Sequence, residues 1–438
     1  MEDRRSFIKK STVAAVGAGL ASSIPQLAWS NIVGANSILR CGLIGCNGMG
    51  FADLKAFLKQ PNTECVALCD VDSNVLQKRI GELEKYSGNR PKAYSDFRKL
   101  IDSKEVDVVI IGTPDHWHCL PFVYACQAGK SIYCEKPLGR TVQECNVMEA
   151  AVNKYKNVAQ IGQWQRSDQH WQDAVEYVHS GKLGRIRSVK VWTYLDWVGK
   201  LPVVADSEVP SGVDYDFWLG PAPQRPFNKN RFHFNFRWFW DYAGGLMTDW
   251  GVHLIDYALF GMKKYAPESV MCMGGKFAYS DDACETPDTQ QALYDFGDFI
   301  MQWDHSLGID NGYYGRDHGV AYIGNVGTLV VSRSGWEVIP EREGTLERVE
   351  LIKGDGQGLN NHMKNFVNAI RNGEALNCPV EIAAGVARAS HLGNIAHLTG
   401  RRIYWDAEKR QIVNDKEANS YLEPDYRAPW KLPNLKSL

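Results

Sequence analysis

The sequence has little net charge and no long apolar run, and each absence excludes a class of protein. Its 49 basic and 51 acidic residues nearly balance, which leaves a formal net charge of −2 at pH 7. A balanced surface argues against binding to nucleic acid or to an anionic membrane. No stretch reaches the roughly 18 consecutive apolar residues that a membrane-spanning helix needs. We therefore expect a globular protein whose only relation to a membrane is export across it.

Cysteine occurs 11 times, but the patterns that would give it a structural task are missing. The number is odd, and no two cysteines have the CxxC spacing. Cys65, Cys69 and Cys134 lie instead inside apolar, strand-like stretches. Buried free thiols are typical of a protein that folds in a reducing compartment.

The first 34 residues differ from the rest of the chain. Arg4 and Arg5 precede a mildly apolar run, rich in Ala, Gly and Ser, between Ser11 and Ser23. A basic segment before a short apolar one is typical of an export signal, and the Arg-Arg-x-Phe-Ile-Lys pattern resembles a twin-arginine signal. An amphipathic helix of the fold is the alternative, but the run has no polar helical face. We assign residues 1–34 to a signal segment and expect a periplasmic protein, with a cytoplasmic location as the alternative.

After this segment the chain is long enough for two domains. It has 438 residues in total, of which 44% are hydrophobic and 23% charged. These proportions are ordinary for globular proteins, and the length exceeds that of a typical single domain.

The first part of the chain alternates strand and helix signals around a glycine-rich turn. The strand-like stretch Ser37–Ile44 leads into Gly-Cys-Asn-Gly-Met-Gly at residues 45–50, followed by a helical stretch Phe51–Lys59. A second strand, Glu64–Cys69, ends at Asp70, 20 residues after the last glycine. This order and spacing are typical of a dinucleotide-binding Rossmann unit.

The turn and the acid together predict an NAD site. Gly45 and Gly48 allow backbone N–H groups to approach a pyrophosphate at the start of a helix, with Met49 beside them. Asn47 stands where the motif has its second glycine, and Asn tolerates a positive φ better than most residues. Asp70 is placed to bind the adenosine ribose hydroxyls. A carboxylate there repels a 2′-phosphate and no Arg follows it, so we expect NAD rather than NADP.

Two further strands of this region end in polar residues. Val106–Ile111 runs into Gly-Thr-Pro-Asp-His-Trp-His at residues 112–118, and Ser131–Cys134 runs into Glu-Lys-Pro at residues 135–137. The carboxyl ends of strands line the ligand crevice in open α/β sheets. Beyond the glycine turn, we therefore expect cofactor contacts from Thr113, Pro114, His116, His118, Glu135 and Lys136.

The second half contains an aromatic-rich region and one polar helix. Aromatic residues at positions 232, 234, 236 and 238 alternate, which predicts a strand face. Most such residues are interpreted as core or interface, and a minority could stack on sugar rings.

Farther on, Asp249, His253 and Asp256 are spaced four and three apart within an apolar stretch, so they share one face of a predicted helix. Polar residues that interrupt an apolar helix favour a functional site.

Three motifs in this order resemble the Gfo/Idh/MocA oxidoreductase family over nearly the whole chain after residue 34. They are the glycine motif at 45–50, the Glu-Lys-Pro motif at 135–137, and Asp249-x-x-x-His253 preceded by two glycines. The resemblance implies an α/β protein with an N-terminal Rossmann domain and a C-terminal α/β domain containing a large, mostly antiparallel open sheet. We place these domains at residues 35–157 and 158–438. It further implies a cis peptide before Pro137, and we expect a homo-oligomer formed through the sheet.

The family resemblance implies that Lys136, Asp249 and His253 surround the carbinol carbon next to the nicotinamide. His253 is the expected general base, because its ordinary pKa suits neutral pH. Asp249 would orient the imidazole or bind a neighbouring hydroxyl, and Lys136 would stabilise the developing negative charge on oxygen. Further substrate contacts are expected from Gln163, Trp164 and Arg166.

A metal site at Asp249, His253 and His118 is conceivable on residue type alone. No close-spaced group of Cys and His residues supports it, so we expect no metal.

The predicted function is NAD-dependent oxidation or reduction of a secondary hydroxyl on a sugar, glycoside or polyol, with a keto-sugar as product. One alternative is a redox-neutral glycoside hydrolase that uses bound NAD transiently; the intact Glu-Lys-Pro motif favours the dehydrogenase. A second alternative is a non-catalytic sugar-binding protein, which would be expected to lose Lys136 or His253.

Overall fold

The computed structural model describes residues 37–435. The predicted signal segment, residues 1–34, lies outside the described residues, so its assignment stays a prediction. Within the described part, the chain forms two sheets with helices packed on them. None of the helices there has the length and apolar character needed to span a bilayer.

The first sheet is a doubly wound parallel sheet. Its strands pair in the order β3-β2-β1-β4-β5-β6, and every pairing is parallel. Their bounds are β1 (Leu39–Ile44), β2 (Thr63–Cys69), β3 (Lys92–Tyr94), β4 (Val108–Ile111), β5 (Ser131–Cys134) and β6 (Ala159–Ile161). All four residues of β4 are buried. Such continuous apolar strands are expected where helices cover both faces of a sheet.

The described part of this half forms five α-helices, three of which begin at a side-chain cap. They are α1 (Gly48–Leu58), α2 (Ser73–Ser87), α3 (Phe97–Ile101), α4 (Cys119–Gln127) and α5 (Val142–Tyr155). The Asp72 side chain accepts the backbone N–H groups of Asn74 and Val75 at the start of α2, which ends at the left-handed Gly88. Thr141 and Glu144 form a reciprocal capping box on α5. These caps satisfy N–H groups that a helix cannot pair internally.

Two predicted features of the first half can be compared directly with the structure. The predicted strands and helices are all present, with ends that differ by a few residues. The predicted domain boundary at residues 157/158 cuts off β6, which pairs in parallel with β5 and so belongs to the first sheet.

The second sheet has ten strands in the order β14-β13-β12-β11-β7-β10-β9-β8-β15-β16. Their bounds are β7 (Ser188–Leu195), β8 (Ser269–Gly275), β9 (Thr289–Asp295), β10 (Ile300–Leu307), β11 (His318–Ile323), β12 (Gly327–Ser332), β13 (Gly335–Pro340), β14 (Val349–Lys353), β15 (Ile403–Asp406) and β16 (Gln411–Ile412). Neighbouring strands are antiparallel except for the β7–β10 pair. The predicted fold class, a Rossmann domain followed by a mostly antiparallel sheet, is confirmed.

Helices cover one face of the second sheet. The helices of this half are α6 (Gln169–His179), α7 (Tyr215–Leu219), α8 (Gly245–Asp249), α9 (Gly251–Met262), α10 (Gly358–Asn372), α11 (Val380–Thr399) and α12 (Lys416–Ser420). Trp171 of α6, Ile255 of α9 and Leu392 of α11 share one buried cluster with Trp303 and Tyr322 of the sheet. On the opposite face, β8 and β9 alternate buried and exposed residues, a pattern typical of a strand with one uncovered side.

The chain returns to the first sheet near its C-terminal end. Met363 and Phe366 of α10 pack in the same buried cluster as Phe57 of α1. Val380 and Ala384 of α11 join the cluster on the other side of that sheet. Helices late in the sequence therefore complete the core of the N-terminal domain and connect it to the second sheet.

The alternating aromatic segment is not a strand, which corrects the prediction. Residues His233–Trp238 form a 3₁₀ helix, with His233 in a left-handed conformation at a φ of 52°. Phe232, Phe236 and Trp238 are buried in an aromatic cluster, whereas Phe234 is 52% exposed. Because aromatic packing holds these rings without a partner strand, the alternation did not reflect a sheet.

Candidate active site

A cavity of about 680 Å³ lies where several parallel strands end. Residues following β1, β2, β4 and β5 line one side of it, as expected for the ligand crevice of a doubly wound sheet. The other side comes from the second half of the chain and includes Trp164, Phe236, Arg237, His253 and Arg333. The two halves therefore enclose one shared cavity.

The turn after β1 approaches the end of β4 so closely that only glycine fits. Gly45 has a φ of 83°, and a Cβ there would lie 2.7 Å from the backbone of Gly112. Cβ atoms on Gly50 and Gly112 would also collide with backbone of this turn. Helix α1 begins beside this contact, and Gly48 and Met49 of its first turn line the cavity. A helix start with unpaired N–H groups suits a phosphate group.

Asn47 keeps the turn intact in a different way from the one expected. Its φ is −93°, so it adopts an extended conformation, and the next residue, Gly48, takes the positive φ of 49°. The second-glycine position of the motif therefore requires no left-handed backbone in this chain. Asn47 lines the cavity as predicted.

Asp70 lies at the end of β2 and also lines the cavity. Its carboxylate accepts the backbone N–H of Cys46 at 2.8 Å and that of Asp72 at 2.9 Å. Burial raises the pKa of Asp70, and these two N–H groups oppose the rise. The glycine turn leaves space that a Cβ would fill, which suits the pyrophosphate of NAD. The anchored carboxylate of Asp70, one strand away, suits the ribose.

Thr113 and Pro114 line the cavity as expected, but His116 and His118 do not. The His116 Nε2 pairs with the carbonyl of Trp218 at 3.0 Å. His118 links two loops through the carbonyls of Pro137, at 2.7 Å, and Thr113, at 2.9 Å. Burial lowers the pKa of His116 to about 3 and that of His118 to about 4, so both rings are neutral.

The structure therefore assigns His116 and His118 to the packing of the loops around the cavity. This corrects the expectation that they contact the cofactor, which was based only on their position after a strand end. Both nitrogens of His118 and the Nε2 of His116 pair with backbone carbonyls instead.

Lys136 follows β5 and is joined to Pro137 by a cis peptide bond. Its Nζ donates to the Oδ1 of Asp249 at 2.5 Å and to the Asp249 carbonyl at 3.0 Å. The Nε of Arg237 contacts the same Oδ1 at 3.2 Å. Burial alone would raise the pKa of Asp249, but the charges of Lys136 and Arg237 outweigh it and hold the pKa well below its usual range. One ionised carboxylate thus serves two cations.

His253 lines the cavity from the second half of the chain and is 7% exposed. Burial, followed by the charges of Lys136 and Arg333, lowers the pKa of its imidazole well below the usual value. Nδ1 is buried without a hydrogen-bond partner among residues 37–435. No hydrogen bond joins His253 to Asp249 in the described chain, because the carboxylate is taken by Lys136 and Arg237. The imidazole is therefore a neutral base that Asp249 does not orient directly.

The predicted helical face is interrupted between Asp249 and His253. Helix α8 ends at Asp249 and α9 begins at Gly251.

Asp256, farther along α9, does not face the cavity residues: it binds the guanidinium of Arg166 through Nε and Nη2 at 2.7–2.9 Å. Arg166 is only 3% exposed and also lies over the ring of Phe260. Arg166 is thus part of a buried ion pair, which corrects its expected role as a substrate contact.

Of the other two expected substrate contacts, one lines the cavity and one does not. Trp164 is a lining residue, and its ring lies 6.2 Å from that of His253. Gln163 is buried outside the lining, and its Oε1 accepts from the Sγ of Cys378 at 3.3 Å. Only Trp164 is therefore placed to meet a substrate.

Two carboxyl groups lie unpaired beneath Lys136. Glu135 lines the cavity, and its Oε1 is buried without a partner among the described residues. A Cβ at Gly162 would collide with this oxygen. Asp53 of α1 is fully buried, and neither of its carboxyl oxygens has a partner in residues 37–435. Burial raises the pKa of Glu135 to about 7, and burial together with the Glu135 charge raises that of Asp53 well above its usual value.

Four charged lining or neighbouring residues were not identified from the sequence. Asp53 interrupts the apolar face of a helix directly after the glycine turn, a signal that could have been used. Arg237 is the cation inside an aromatic segment, which is a weaker signal. Asp115 sits in the loop after β4, and burial raises its pKa to about 7. Arg333 lies in a hairpin turn between β12 and β13, where no local pattern distinguishes it.

The fold and the cavity define a class of protein in which a dinucleotide-binding Rossmann domain and a second α/β domain enclose one cavity. The chain matches the model of the NAD-binding Rossmann fold of the GFO_IDH_MocA oxidoreductase family over residues 39–163. It matches the family's C-terminal alpha/beta domain over residues 178–432. The chain therefore belongs to the Gfo/Idh/MocA family, which confirms the predicted family and the NAD-binding domain.

Curated relatives with two different descriptions match the chain over part of their length. A glycosyl hydrolase family 109 protein of Shewanella baltica (strain OS185) is 29% identical over 174 residues, 35% of this chain and 38% of the relative. An inositol 2-dehydrogenase of Salmonella typhimurium is 33% identical over 149 residues, 34% of this chain and 43% of the relative. The chain thus spans less than half the length of these relatives.

Solved structures with the same fold match a larger share of the chain. Levoglucosan dehydrogenase in complex with NADH and levoglucosan has a TM-score of 0.65 at 19% identity, covering 84% of this chain and 99% of that chain. The WlbA dehydrogenase from Bordetella pertussis, in complex with NADH and UDP-GlcNAcA, has a TM-score of 0.62 at 19% identity, with coverage of 84% and 99%. At this identity the likeness concerns the fold.

Proposed function

We propose that the protein oxidises a secondary hydroxyl of a sugar, glycoside or polyol to a ketone, with NAD as hydride acceptor. The observation that carries the proposal is the Lys136–Asp249 pair at the end of β5, in the same cavity as a neutral His253 and the glycine turn. The names of the family relatives, which include an inositol 2-dehydrogenase, support a polyhydroxyl substrate.

The side chains at this site suit the removal of a hydroxyl proton. An ammonium group has three N–H donors, and Lys136 uses two of them on Asp249. The third remains for the carbinol oxygen, where it stabilises negative charge as the proton leaves. His253 is neutral and its Nδ1 is enclosed, so Nε2 is the nitrogen that accepts the hydroxyl proton.

NAD, when bound, supplies the hydride acceptor. The residues that would hold it are Gly45, Asn47, Gly48, Met49, Asp70, Thr113 and Pro114, which all line the cavity. Trp164 offers an apolar surface to the substrate on the opposite wall, close to the ring of His253.

To test the proposal, the purified protein is incubated in turn with each member of a panel of methyl glycosides and polyols. Mass spectrometry should detect a product lighter by two hydrogens, together with reduction of the cofactor. His253→Gln should prevent both changes, and Lys364→Gln, at an exposed position of α10 that does not line the cavity, should not. A panel that stays unchanged in mass with the NAD-loaded protein would contradict the proposal.

A redox-neutral glycoside hydrolase is the second candidate. Asp115 and Glu135 both line the cavity, and burial raises the pKa of each to about 7, so a protonated carboxyl is available near a leaving group at neutral pH. The glycosyl hydrolase family 109 relatives point the same way. Release of aglycone without accumulation of keto-sugar in the same assay would favour this function.

We also propose that the protein is exported and retains its cofactor. The twin-arginine-like signal suits export of a folded protein, and all 11 cysteines are free, as expected of folding in a reducing compartment. Because free NAD is scarce outside the cytosol, the cofactor would have to travel with the protein and be reoxidised by a second substrate, such as a keto-sugar. Bound NAD(H) should survive extensive dialysis, and fractionated cells should contain the protein in the periplasm.

The uncovered face of the second sheet supports association of copies of the chain. Met273 is 79% exposed, and Met271, Leu293, Ile300 and Tyr404 are also exposed apolar residues. Met271 pairs directly with Leu293 on this face. We expect light scattering to report an oligomer, and Met273→Asp with Leu293→Lys to shift it toward the monomer.

A further inference from the structure

Arg333 is a cation of the cavity that forms no ion pair with a carboxylate among residues 37–435. It lies in the turn between β12 and β13 and lines the cavity near His253. Its Nε is buried without a hydrogen-bond partner, and within residues 37–435 no ion pair or side-chain hydrogen bond involves its guanidinium. Burial lowers the pKa of Arg333 to about 10, which leaves the side chain positively charged at neutral pH. The side chain is half-buried, and a partly desolvated charge is stabilised by a partner of opposite charge.

Two aromatic rings flank the guanidinium. Its central carbon lies 4.4 Å from the ring centre of Trp250 and 5.1 Å from that of Trp164. Cation–π contacts of this kind restrict the guanidinium without using its N–H groups. The arrangement presents a rigid set of donors rather than a mobile side chain.

Lys136 and Arg237, the other two cations that line the cavity, differ from Arg333 because each contacts a carboxylate. Lys136 and Arg237 both contact the carboxylate of Asp249, and the cavity carboxyls Asp115 and Glu135 interact with this pair. The two carboxylates whose charges act on Arg333 are engaged by other cations or rings: Asp249 by Lys136 and Arg237, and Asp317 by the Nδ1 of His318 at 2.8 Å. Arg333 is therefore the position on the substrate side of the cavity where a positive charge lacks a paired carboxylate among the residues that the structure describes.

We propose that the substrate is an acidic sugar whose carboxylate binds Arg333 while a ring hydroxyl meets Lys136 and His253. A planar carboxylate matches two parallel N–H groups of a fixed guanidinium, whereas a phosphate group typically gathers more donors than one arginine offers. The proposal rests on the proposed function for the hydroxyl chemistry, but the anion site is defined by Arg333 alone. It specifies a uronic acid or uronide rather than a neutral hexoside.

The test compares two substrates that differ only at the group expected to contact Arg333. Methyl β-glucuronide and methyl β-glucoside, with the corresponding galacto pair, are titrated into the NADH-loaded protein and followed by tryptophan fluorescence, which requires no turnover. The wild type should bind the acidic member about 10- to 100-fold more tightly, the range of a charge-assisted hydrogen-bond pair. Equal binding of both members, or saturable binding of neither, would overturn the proposal without reference to any variant.

Variants then assign the preference to one side chain. Arg333→Gln should remove the acid-over-neutral ratio, and Arg333→Lys should reduce it, because lysine keeps the charge but lacks the planar fork. Arg342→Gln, an exposed arginine on the next turn of the sheet, removes the same charge and should leave the ratio unchanged. A ratio that survives Arg333→Gln would contradict the assignment.

Two further outcomes separate this proposal from the one on which it rests. Tight, Arg333-dependent binding of the glucuronide without oxidation would support the anion site and contradict the dehydrogenase function. Oxidation of the glucoside and glucuronide with equal kcat/KM would support the dehydrogenase function and contradict the anion site. A glucoside 6-sulfate bound more tightly than the glucuronide would show that the substrate class is wrong.

Discussion

Asp249 organises the charged residues around the reacting position. One of its oxygens accepts from Lys136 and Arg237, and its backbone carbonyl accepts a second bond from Lys136. The ammonium is therefore fixed by two contacts from a single residue, with one donor left over. A donor that is already oriented stabilises developing charge without reorganising during the reaction. This makes Lys136 the residue whose removal should affect turnover most specifically.

Lys136→Ala should lower kcat by about 10²- to 10³-fold, the usual cost of losing a preoriented donor to a developing oxyanion. The glycine turn that would hold NAD is untouched, so cofactor binding should persist. Steady-state kinetics and calorimetric titration with NAD measure the two effects separately. Lys99→Ala, at an exposed position of α3, serves as the control. Near wild-type kcat in Lys136→Ala would contradict the assignment.

Glu135 should make the folding stability depend on pH. Its pKa is raised by burial from 4.5 to about 7, so the native state binds this proton more tightly than the unfolded chain does. The contribution of Glu135 to the free energy of unfolding is therefore greatest below about pH 4.5, and it falls as the pH rises toward 7. Relative to Glu135→Gln, the wild type should lose about 1 to 3 kcal/mol across this window.

Urea denaturation of both proteins between pH 4.5 and 8 measures this difference. Glu105→Gln, an exposed position, should run parallel to the wild type. Asp53→Asn should also flatten the profile, because its carboxyl is buried beside that of Glu135 and shares the cost. A constant difference between wild type and Glu135→Gln over the whole range would show that Glu135 does not titrate there.

Asp70 should determine the preference for NAD over NADP. Its carboxylate is anchored by two backbone N–H groups, so it cannot turn away from a 2′-phosphate. The wild type should bind NAD more tightly than NADP. Asp70→Ser should reduce the ratio of the two affinities by about tenfold or more, because it removes one negative charge close to the 2′-phosphate. Isothermal titration with both cofactors decides the matter. Tighter binding of NADP to the wild type would contradict this role.

Among the elements, the contact between the β1–α1 turn and the end of β4 is the most restrictive. Gly50 and Gly112 touch through their backbones, so neither has room for a methyl group. We expect Gly112→Ala to destabilise the protein by about 1 to 3 kcal/mol and to weaken NAD binding, because the turn must move. Thermal unfolding with and without NAD measures both.

A matched glycine is available for comparison. Gly81 lies within α2, and a Cβ there would meet no atom within 4 Å. Gly81→Ala should stabilise the protein by about 0.5 to 1 kcal/mol, the helix preference of alanine over glycine. If Gly112→Ala behaved like Gly81→Ala, the close packing described for the turn would be wrong.

The same elements show what the sequence could and could not reveal. The parallel strands and the glycine turn were predictable, because buried apolar runs and motif spacing are local signals. The 3₁₀ helix His233–Trp238 was not, since its aromatic alternation arises from packing with residues such as Trp218 and Tyr242. Arg166 resembled a site residue in sequence, and only the position of Asp256 in space shows that it is structural. Arg333 reaches the cavity from a distant hairpin, a placement that depends on the register of the whole second sheet.

At the scale of the whole molecule, neither sheet builds the site alone. The Rossmann sheet supplies the glycine turn and Lys136, and the second half supplies Asp249, His253 and Arg333. Helix α11 connects the two parts, because its Val380 and Ala384 belong to a core cluster of the first sheet and its Leu392 belongs to the core of the second sheet. The distance between Lys136 and Asp249 therefore depends on packing far from the cavity.

The central claim is that this shared cavity oxidises a sugar hydroxyl. The most direct measurement is a single-turnover experiment, in which the protein with bound NAD is mixed with methyl β-glucuronide and methyl β-glucoside. We predict one equivalent of reduced cofactor per equivalent of product that is lighter by two hydrogens, and neither signal in His253→Gln. Unchanged sugars beside fully bound, unreduced NAD would contradict the account.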